Sequence, residues 1–260
     1  MSITNLLSAI GIGPFSARTE HRFVFENERY RIRKPTIVAY GIPRSGSTLI
    51  YQVLCQLFPD RNVIKAHHYL YAEKLTQVVM CRRDLRDVMI SQWRVAQDLA
   101  GKRFVEKQVG AEAVERGPKE TTLRPMTDDE VRFGAQEIVR QIEGPYRRYL
   151  DVDPASVLKV GYEDFFENFP YLFSKFETFF GVGIDPDTRA RVEQACNLKA
   201  NRARASQLKG FTEFDPKTQI HGGHIHSGEI GFWKGFLTPA QVAIANDILR
   251  PVLEMLEYEV

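Results

Sequence analysis

The 260-residue chain lacks most of the features that would reveal its chemistry at a glance. It has three cysteines, Cys55, Cys81 and Cys196, far apart and with no CxxC pair. That excludes a disulfide scaffold or thiolate zinc site and suits buried thiols in a reducing compartment. Neither charge dominates: 35 Lys and Arg stand against 33 Asp and Glu, a formal net charge of +2. There is no basic tail, so charge points to neither nucleic acid nor an anionic membrane surface. No apolar run is long enough to span a bilayer, and the opening Met1–Pro14 stretch lacks the basic segment of a secretory leader. A cytoplasmic protein without membrane insertion is the expectation. Internal repeats and low-complexity tracts are absent too.

What is present is an alternation of strand and helix patterns. Residues 1–35 read as an N-terminal extension with a hairpin over Phe23–Arg33, and 36–260 as one domain. Thr36–Tyr40 is a buried strand, Ser47–Phe58 a helix with Leu49, Val53, Leu54 and Leu57 on one face, and Asn62–Ala66 a short strand. Leu75–Cys81 reads as a central strand, followed by a helix from Asp84 to about Leu99. Residues 101–127 are charged and punctuated by Gly and Pro, an insertion suited to a lid or acceptor loop. Thr127 and Glu130 form a capping box for a helix ending near Leu150. Val157–Val160 is a strand, Pro170–Phe180 an aromatic helix stopped by Gly181, and Asp187–Leu198 another helix. Residues 201–232 read as loop, and Pro239–Tyr258 as the closing helix. This order predicts an α/β fold. Its form is a three-layer sandwich with a central, mostly parallel sheet, of the kind phosphate-loop nucleotidases use.

The densest signal is Gly41-Ile-Pro-Arg-Ser-Gly-Ser-Thr48, directly after the first strand. Such a loop offers an anion several backbone N–H groups and the positive end of a helix. Arg44 can meet an anionic oxygen in a bidentate manner, and Ser45, Ser47 and Thr48 add hydroxyl donors around Gly46. A phosphate loop ordinarily carries lysine before its last hydroxyl residue; here that place is Ser47. The next apolar strand ends in Arg82-Arg83-Asp84, two cations where a magnesium-holding carboxylate would be expected. A donor with anionic groups at both ends and no metal fits these residues better than a metal-bound triphosphate.

Arg83, Asp87 and Ser91 follow an R-x-x-x-D-x-x-x-S spacing across that strand end and the next helix. Alone, Arg83 and Ser91 read as a solvated helix start. With Pro43-Arg-Ser-Gly-Ser-Thr48, and in this order, they resemble the sulfotransferases that use 3′-phosphoadenosine-5′-phosphosulfate. In that family the loop binds the 5′-phosphosulfate and the R…S pair binds the 3′-phosphate. Three further segments are similar to the family's: Lys65-Ala-His67 to K-T-H, Val160-Gly-Tyr-Glu-Asp164 to a Y-E-D segment whose tyrosine lies near the adenosine, and His226-Ser-Gly-Glu-Ile-Gly-Phe-Trp-Lys234 to a loop that closes over the 3′-phosphate. The resemblance implies that Arg44, Ser45, Gly46, Ser47, Thr48, Leu49, Arg83, Ser91, Tyr162, His226, Ser227 and Gly228 bind the donor. Some positions depart from the family. Leu49 stands where tryptophan often stacks on adenine, His226 and Ser227 replace Arg-Lys, and Phe232 replaces an acid. Arg44 in place of lysine looks more like the tyrosylprotein and carbohydrate members.

Sulfuryl transfer to a hydroxyl or amine needs a base for the acceptor proton and cations for the leaving phosphate. His67 suits the first role, with His68 as rival, because imidazole titrates near neutrality. Arg44 and Lys65 suit the second. Each also has an ordinary reading, as a strand-end histidine or a solvated edge cation. His221, His224 and His226 carry no acidic or cysteine partners, so no metal is expected. A small-molecule acceptor is the reading for the partner. The rival functions are a small-molecule kinase with a variant phosphate loop, and a non-catalytic nucleotide-binding protein.

Overall fold

The computed structural model describes residues 36–67, 77–109, 123–150, 154–210, 213–223, 225 and 228–260. The extension at 1–35, His68, residues 110–122 of the expected insertion, His224, His226 and Ser227 lie outside the described residues. Strands β1 (Thr36–Tyr40), β2 (Asn62–Ala66), β3 (Gln77–Arg82) and β4 (Val157–Gly161) form a four-stranded parallel sheet in the order β2-β1-β3-β4. Val38 pairs with Ile64 on one side and Val78 on the other, so β1 is central. The chain leaves β1 toward β2 and then returns to β1's other side as β3. That reversal opens a crevice at the carboxyl end of β1, where open α/β sheets take ligands.

The helices are α1 (Ser47–Leu57), α2 (Leu85–Val109), α3 (Asp128–Leu150), α4 (Tyr162–Phe165) and α5 (Phe169–Phe180). After them come α6 (Pro186–Cys196), α7 (Leu198–Ala205), α8 (Trp233–Phe236) and α9 (Pro239–Met255). Of the described residues, 36–83 and 141–230 form one compact unit, and 84–140 with 231–260 a second.

In the first unit both sheet faces are covered, which is why its strands are continuous apolar runs rather than alternating ones. Ile37, Ala39, Val79, Cys81 and Val160 pack with Ile50, Val53 and Leu54 of α1, Phe165 of α4, and Phe169, Leu172, Phe173 and Phe176 of α5. Each fully buried Leu or Phe contributes about 1.5–3 kcal/mol. On the opposite face the ring of Tyr40 meets those of Tyr146 and Tyr149, at centroid distances of 5.1 and 4.3 Å. Three layers result, as the strand–helix alternation requires.

Local signals set the helix ends. Asn168 caps α5 by accepting from Tyr171 N–H, and Gly181 ends it at φ 63°. Asp185 caps α6 at Thr188 N–H. In the second unit Thr127 and Glu130 make the expected capping box for α3, with N–H bonds of 3.3 and 2.8 Å. Trp93 of α2 donates its indole N–H to the carbonyl of Arg124, the anchoring role its size suggests.

Two boundaries differ from the sequence reading. Helix α2 runs on to Val109, ten residues past its expected end and into the insertion at 101–127. Helix α7 occupies the start of a stretch expected to be loop. Its Asn197 cap, bonded from Ala200 N–H, and its Ala and Arg content sustain a helix with no apolar period to announce it.

Candidate anion-binding and catalytic site

The loop after β1 is shaped by its backbone. Arg44 and Gly46 both have left-handed φ, 76° and 95°. At Gly46 a Cβ would sit 2.7 Å from Tyr162 Cδ2 and 2.9 Å from Phe165 Cζ, so only glycine fits. At Gly41 a Cβ would collide with Ser45 Oγ. Ser45 is fully buried and spends its donors inside the loop: both its N–H (3.1 Å) and its hydroxyl (2.8 Å) go to the carbonyl of Ile42. That hydroxyl, which the resemblance places among the donor-binding groups, braces the loop in the structure. Cys81, at the end of β3, completes the brace by directing its thiol at the carbonyl of Ser45, at 2.7 Å. Burial pushes that thiol far above its usual range, so it stays protonated and able to donate. Sequence reasoning missed this contact, because its partner is a backbone atom distant in the chain.

Gly46 precedes α1 without any side-chain cap. The first-turn N–H groups, with Ser47 and Thr48 beginning the helix, are then the donors an anion would meet. Leu49 is half-buried and packs against the apolar core. At the end of β2, Lys65 Nζ donates to Thr48 Oγ1 at 3.1 Å. Burial first, and the nearby Arg44 guanidinium second, pull the Lys65 pKa down to about 8. One residue on, His67 Nδ1 lies 2.6 Å from the carbonyl oxygen of Gly41. A carbonyl only accepts, so Nδ1 carries the hydrogen and the neutral ring's lone pair is on Nε2. Loop, lysine and histidine are thus gathered at the carboxyl ends of β1 and β2, as their spacing in the sequence anticipated.

Arg83, just past β3, is buried, and its guanidinium lies over the ring of Tyr162 at 4.2 Å. It donates to the carbonyls of Arg44 (3.3 Å) and Glu229 (2.9 Å). The Tyr162 ring also stacks on Phe166, at 5.1 Å and 27°. Its hydroxyl donates to the carbonyl of Gly228 at 2.9 Å. Burial pushes the Tyr162 pKa up to about 12, against the pull of Arg83, so the phenol stays neutral and donating. Tyr162 therefore joins the glycine loop, Arg83 and the Gly228 segment, and Phe166 is a second contributor that its sequence did not flag. Gly228 has φ 73°, and a Cβ there would clash with Phe166 and the Tyr162 hydroxyl.

Ser91 lies half-buried on α2 in the second unit. Of the three clustered histidines only His221 is described; it bridges to Phe214 in a short hairpin, ring on ring at 5.4 Å. Among the described residues no group of three or more His, Cys, Asp or Glu side chains could hold a metal ion. Nor is any described helix long and apolar enough to cross a membrane.

Residues 59–257 match the family model for the sulfotransferase domain; the matched span begins after the glycine loop and covers most of the chain. No curated protein sequence matches the chain. Solved structures with a similar fold include mouse sulfotransferase SULT7A1 complexed with PAP, at 14% identity and TM-score 0.57 over 85% of each chain. Retinol dehydratase in complex with androsterone and inactive cofactor PAP is similar at 13% identity and TM-score 0.56, over 90% of this chain and 84% of that one. The same enzyme with retinol and PAP matches at 14% and 0.54, over 90% and 85%.

Proposed function

The chain belongs to the sulfotransferase family, and from that premise we propose that it transfers a sulfuryl group from 3′-phosphoadenosine-5′-phosphosulfate to a hydroxyl or amine of a small-molecule acceptor in the cytoplasm. The observation that carries this reading is the convergence of Lys65 and His67 on the Gly41–Thr48 loop, through the bonds to Thr48 and to the Gly41 carbonyl. Retinol and androsterone, bound in the retinol dehydratase structures, are small apolar molecules bearing oxygen, which supports an acceptor of that size here.

In the proposed reaction the acceptor hydroxyl or amine attacks sulfur in line as the S–O bond to the 5′-phosphate breaks. His67 Nε2 takes the acceptor proton; the 5′-phosphate oxygen takes the bonding electron pair and leaves as adenosine 3′,5′-bisphosphate. The growing charge on that oxygen is met by Lys65, Arg44 and the first N–H groups of α1, donors that need no reorganisation when the charge appears. The family resemblance assigns Arg83 and Ser91 to the 3′-phosphate; in the first unit Tyr162 lies against Arg83 and bonds the Gly228 carbonyl. His226 and Ser227 belong to the same segment. No metal ion takes part.

Calorimetric titration tests the reading. Binding of adenosine 3′,5′-bisphosphate in the presence of EDTA, together with donor-dependent sulfuryl transfer to an acceptor, is the expected result. Preference for magnesium–ATP would replace it with a kinase, and binding of neither would leave a non-catalytic protein.

A further inference from the structure

Arg83, Tyr162 and Phe166 form a stack that lies wholly within the first compact unit. Tyr162 opens α4, and the chain leaves that short helix at Phe166, whose N–H donates to the Tyr162 carbonyl at 2.8 Å. Residues four apart on a helical turn share a face. Here their rings meet nearly parallel, at 5.1 Å and 27°. The Arg83 guanidinium lies over the Tyr162 ring at 4.2 Å. Its two terminal nitrogens donate to the carbonyls of Arg44 and Glu229, at 3.3 and 2.9 Å. Arg83 therefore bridges the glycine loop and the Gly228 segment.

Phe166 touches both supports of that bridge. One is the Tyr162 ring, which is only 7% exposed and also meets the Phe165 ring, at 5.5 Å and 77°. The other is the Gly228 backbone, which accepts from the Tyr162 hydroxyl. A Cβ at Gly228 would sit 2.6 Å from Phe166 Cε2 and Cζ, so that backbone rests against the ring. Phe166 is itself half-buried, at the margin of the apolar core. Any apolar side chain of similar size would cover the core there. A near-parallel ring pair needs a ring.

We propose that Phe166 is a positioning residue for the donor's 3′-phosphate. It acts by holding the plane of Tyr162, on which the Arg83 guanidinium lies, and by seating Gly228. The proposal rests on the reading of Arg83 as a 3′-phosphate group.

The test compares the full-length wild-type chain with Phe166→Leu, which stays apolar but has no ring, and Phe166→Tyr, which keeps the ring. Calorimetric titration gives affinities for adenosine 3′,5′-bisphosphate and for adenosine 5′-phosphate. The two probes differ only in the 3′-phosphate, so the ratio of their dissociation constants reads what that group contributes. Phe166→Leu should weaken the bisphosphate about three- to tenfold, the worth of a stacked aromatic pair. The monophosphate should stay near its wild-type value, and Phe166→Tyr should restore the wild-type ratio. In turnover the Phe166→Leu loss should fall on the donor KM rather than on kcat. Equal losses for both nucleotides would make Phe166 a core residue only and overturn the proposal. An unchanged ratio in Phe166→Leu, or the same loss in Phe166→Tyr, would overturn it too. Should Phe166→Leu fail to fold, Phe166→Met, whose unbranched side chain fills irregular space, makes the same comparison. If the wild-type chain did not prefer the bisphosphate, the reading of Arg83 would fall and this proposal with it. That outcome is distinct because the wild type, not the variant, shows it.

Discussion

His67 Nδ1 stands 2.6 Å from the carbonyl oxygen of Gly41, the residue that opens the anion loop. The bond does two things at once. It fixes the tautomer that places the lone pair on Nε2, and it ties the ring to the backbone of the loop that would carry the reacting group.

The first prediction follows from that geometry. His67→Ala should lower kcat by about 10²- to 10⁴-fold, the usual contribution of a positioned general base. Its affinity for adenosine 3′,5′-bisphosphate should stay near the wild-type value, because the loop is braced independently by Ser45 and Cys81. Single-turnover assays with bound donor make the measurement. Near-normal turnover in that variant would remove His67 from the reaction.

Arg83 makes a second case. Its guanidinium uses its face against Tyr162 and its edge on two carbonyls. Lysine would keep the charge but lose the planar fork and the stacking. Arg83→Lys should therefore weaken nucleotide binding by about tenfold, in line with a cation–π contact of about 0.5–2 kcal/mol plus a misplaced charge. Equal affinity in a titration would show that a point charge suffices and that the stack on Tyr162 is incidental.

These cases mark where the sequence is legible. The strand, glycine loop and helix from Thr36 to Leu57 could be read because an apolar run, two glycines and a helical period follow one another within one element pair. Lys65 and His67 could be placed because they end a neighbouring parallel strand. What stayed hidden depends on partners far apart in the chain or on backbone atoms. Nothing local says that Ser45 turns its hydroxyl inward, that Cys81 bonds the Ser45 carbonyl, or that Asp87 accepts from Gly231 and Trp233. Helix α7 was missed for a different reason: it is short and polar, so only its Asn197 cap and propensity mark it.

Gly46 gives a stability prediction. Its φ of 95° disfavours any L side chain, and a Cβ would press on the rings of Tyr162 and Phe165. Gly46→Ala should cost about 2–4 kcal/mol, a backbone cost of about 1 kcal/mol plus overpacking of about 1–3 kcal/mol. Gly235, where a Cβ meets nothing within 4 Å, is the control and should tolerate alanine. Urea unfolding followed by circular dichroism compares them. Equal midpoints for the two variants would mean that the loop can relax away from Tyr162.

Lys65 supplies the pH dependence. Burial, and then Arg44, bring its pKa from 10.5 to about 8 in the folded chain. Between those two values the unfolded chain binds more protons than the folded one, so this group's contribution to stability rises with pH across that window and is absent below it. A bound anion acts in the opposite sense, since a phosphate beside Nζ favours the ammonium. Near pH 8 about half the lysines are neutral, so binding adenosine 3′,5′-bisphosphate there should take up a fraction of a proton, and affinity should fall as pH rises further. Calorimetry in two buffers of different ionisation enthalpy reads this uptake as a difference in apparent binding enthalpy. Lys65→Met should lose the part that belongs to Nζ. If wild type and Lys65→Met show the same buffer dependence at that pH, Lys65 is already an ammonium before the nucleotide arrives, and its partnership with Thr48 is structural.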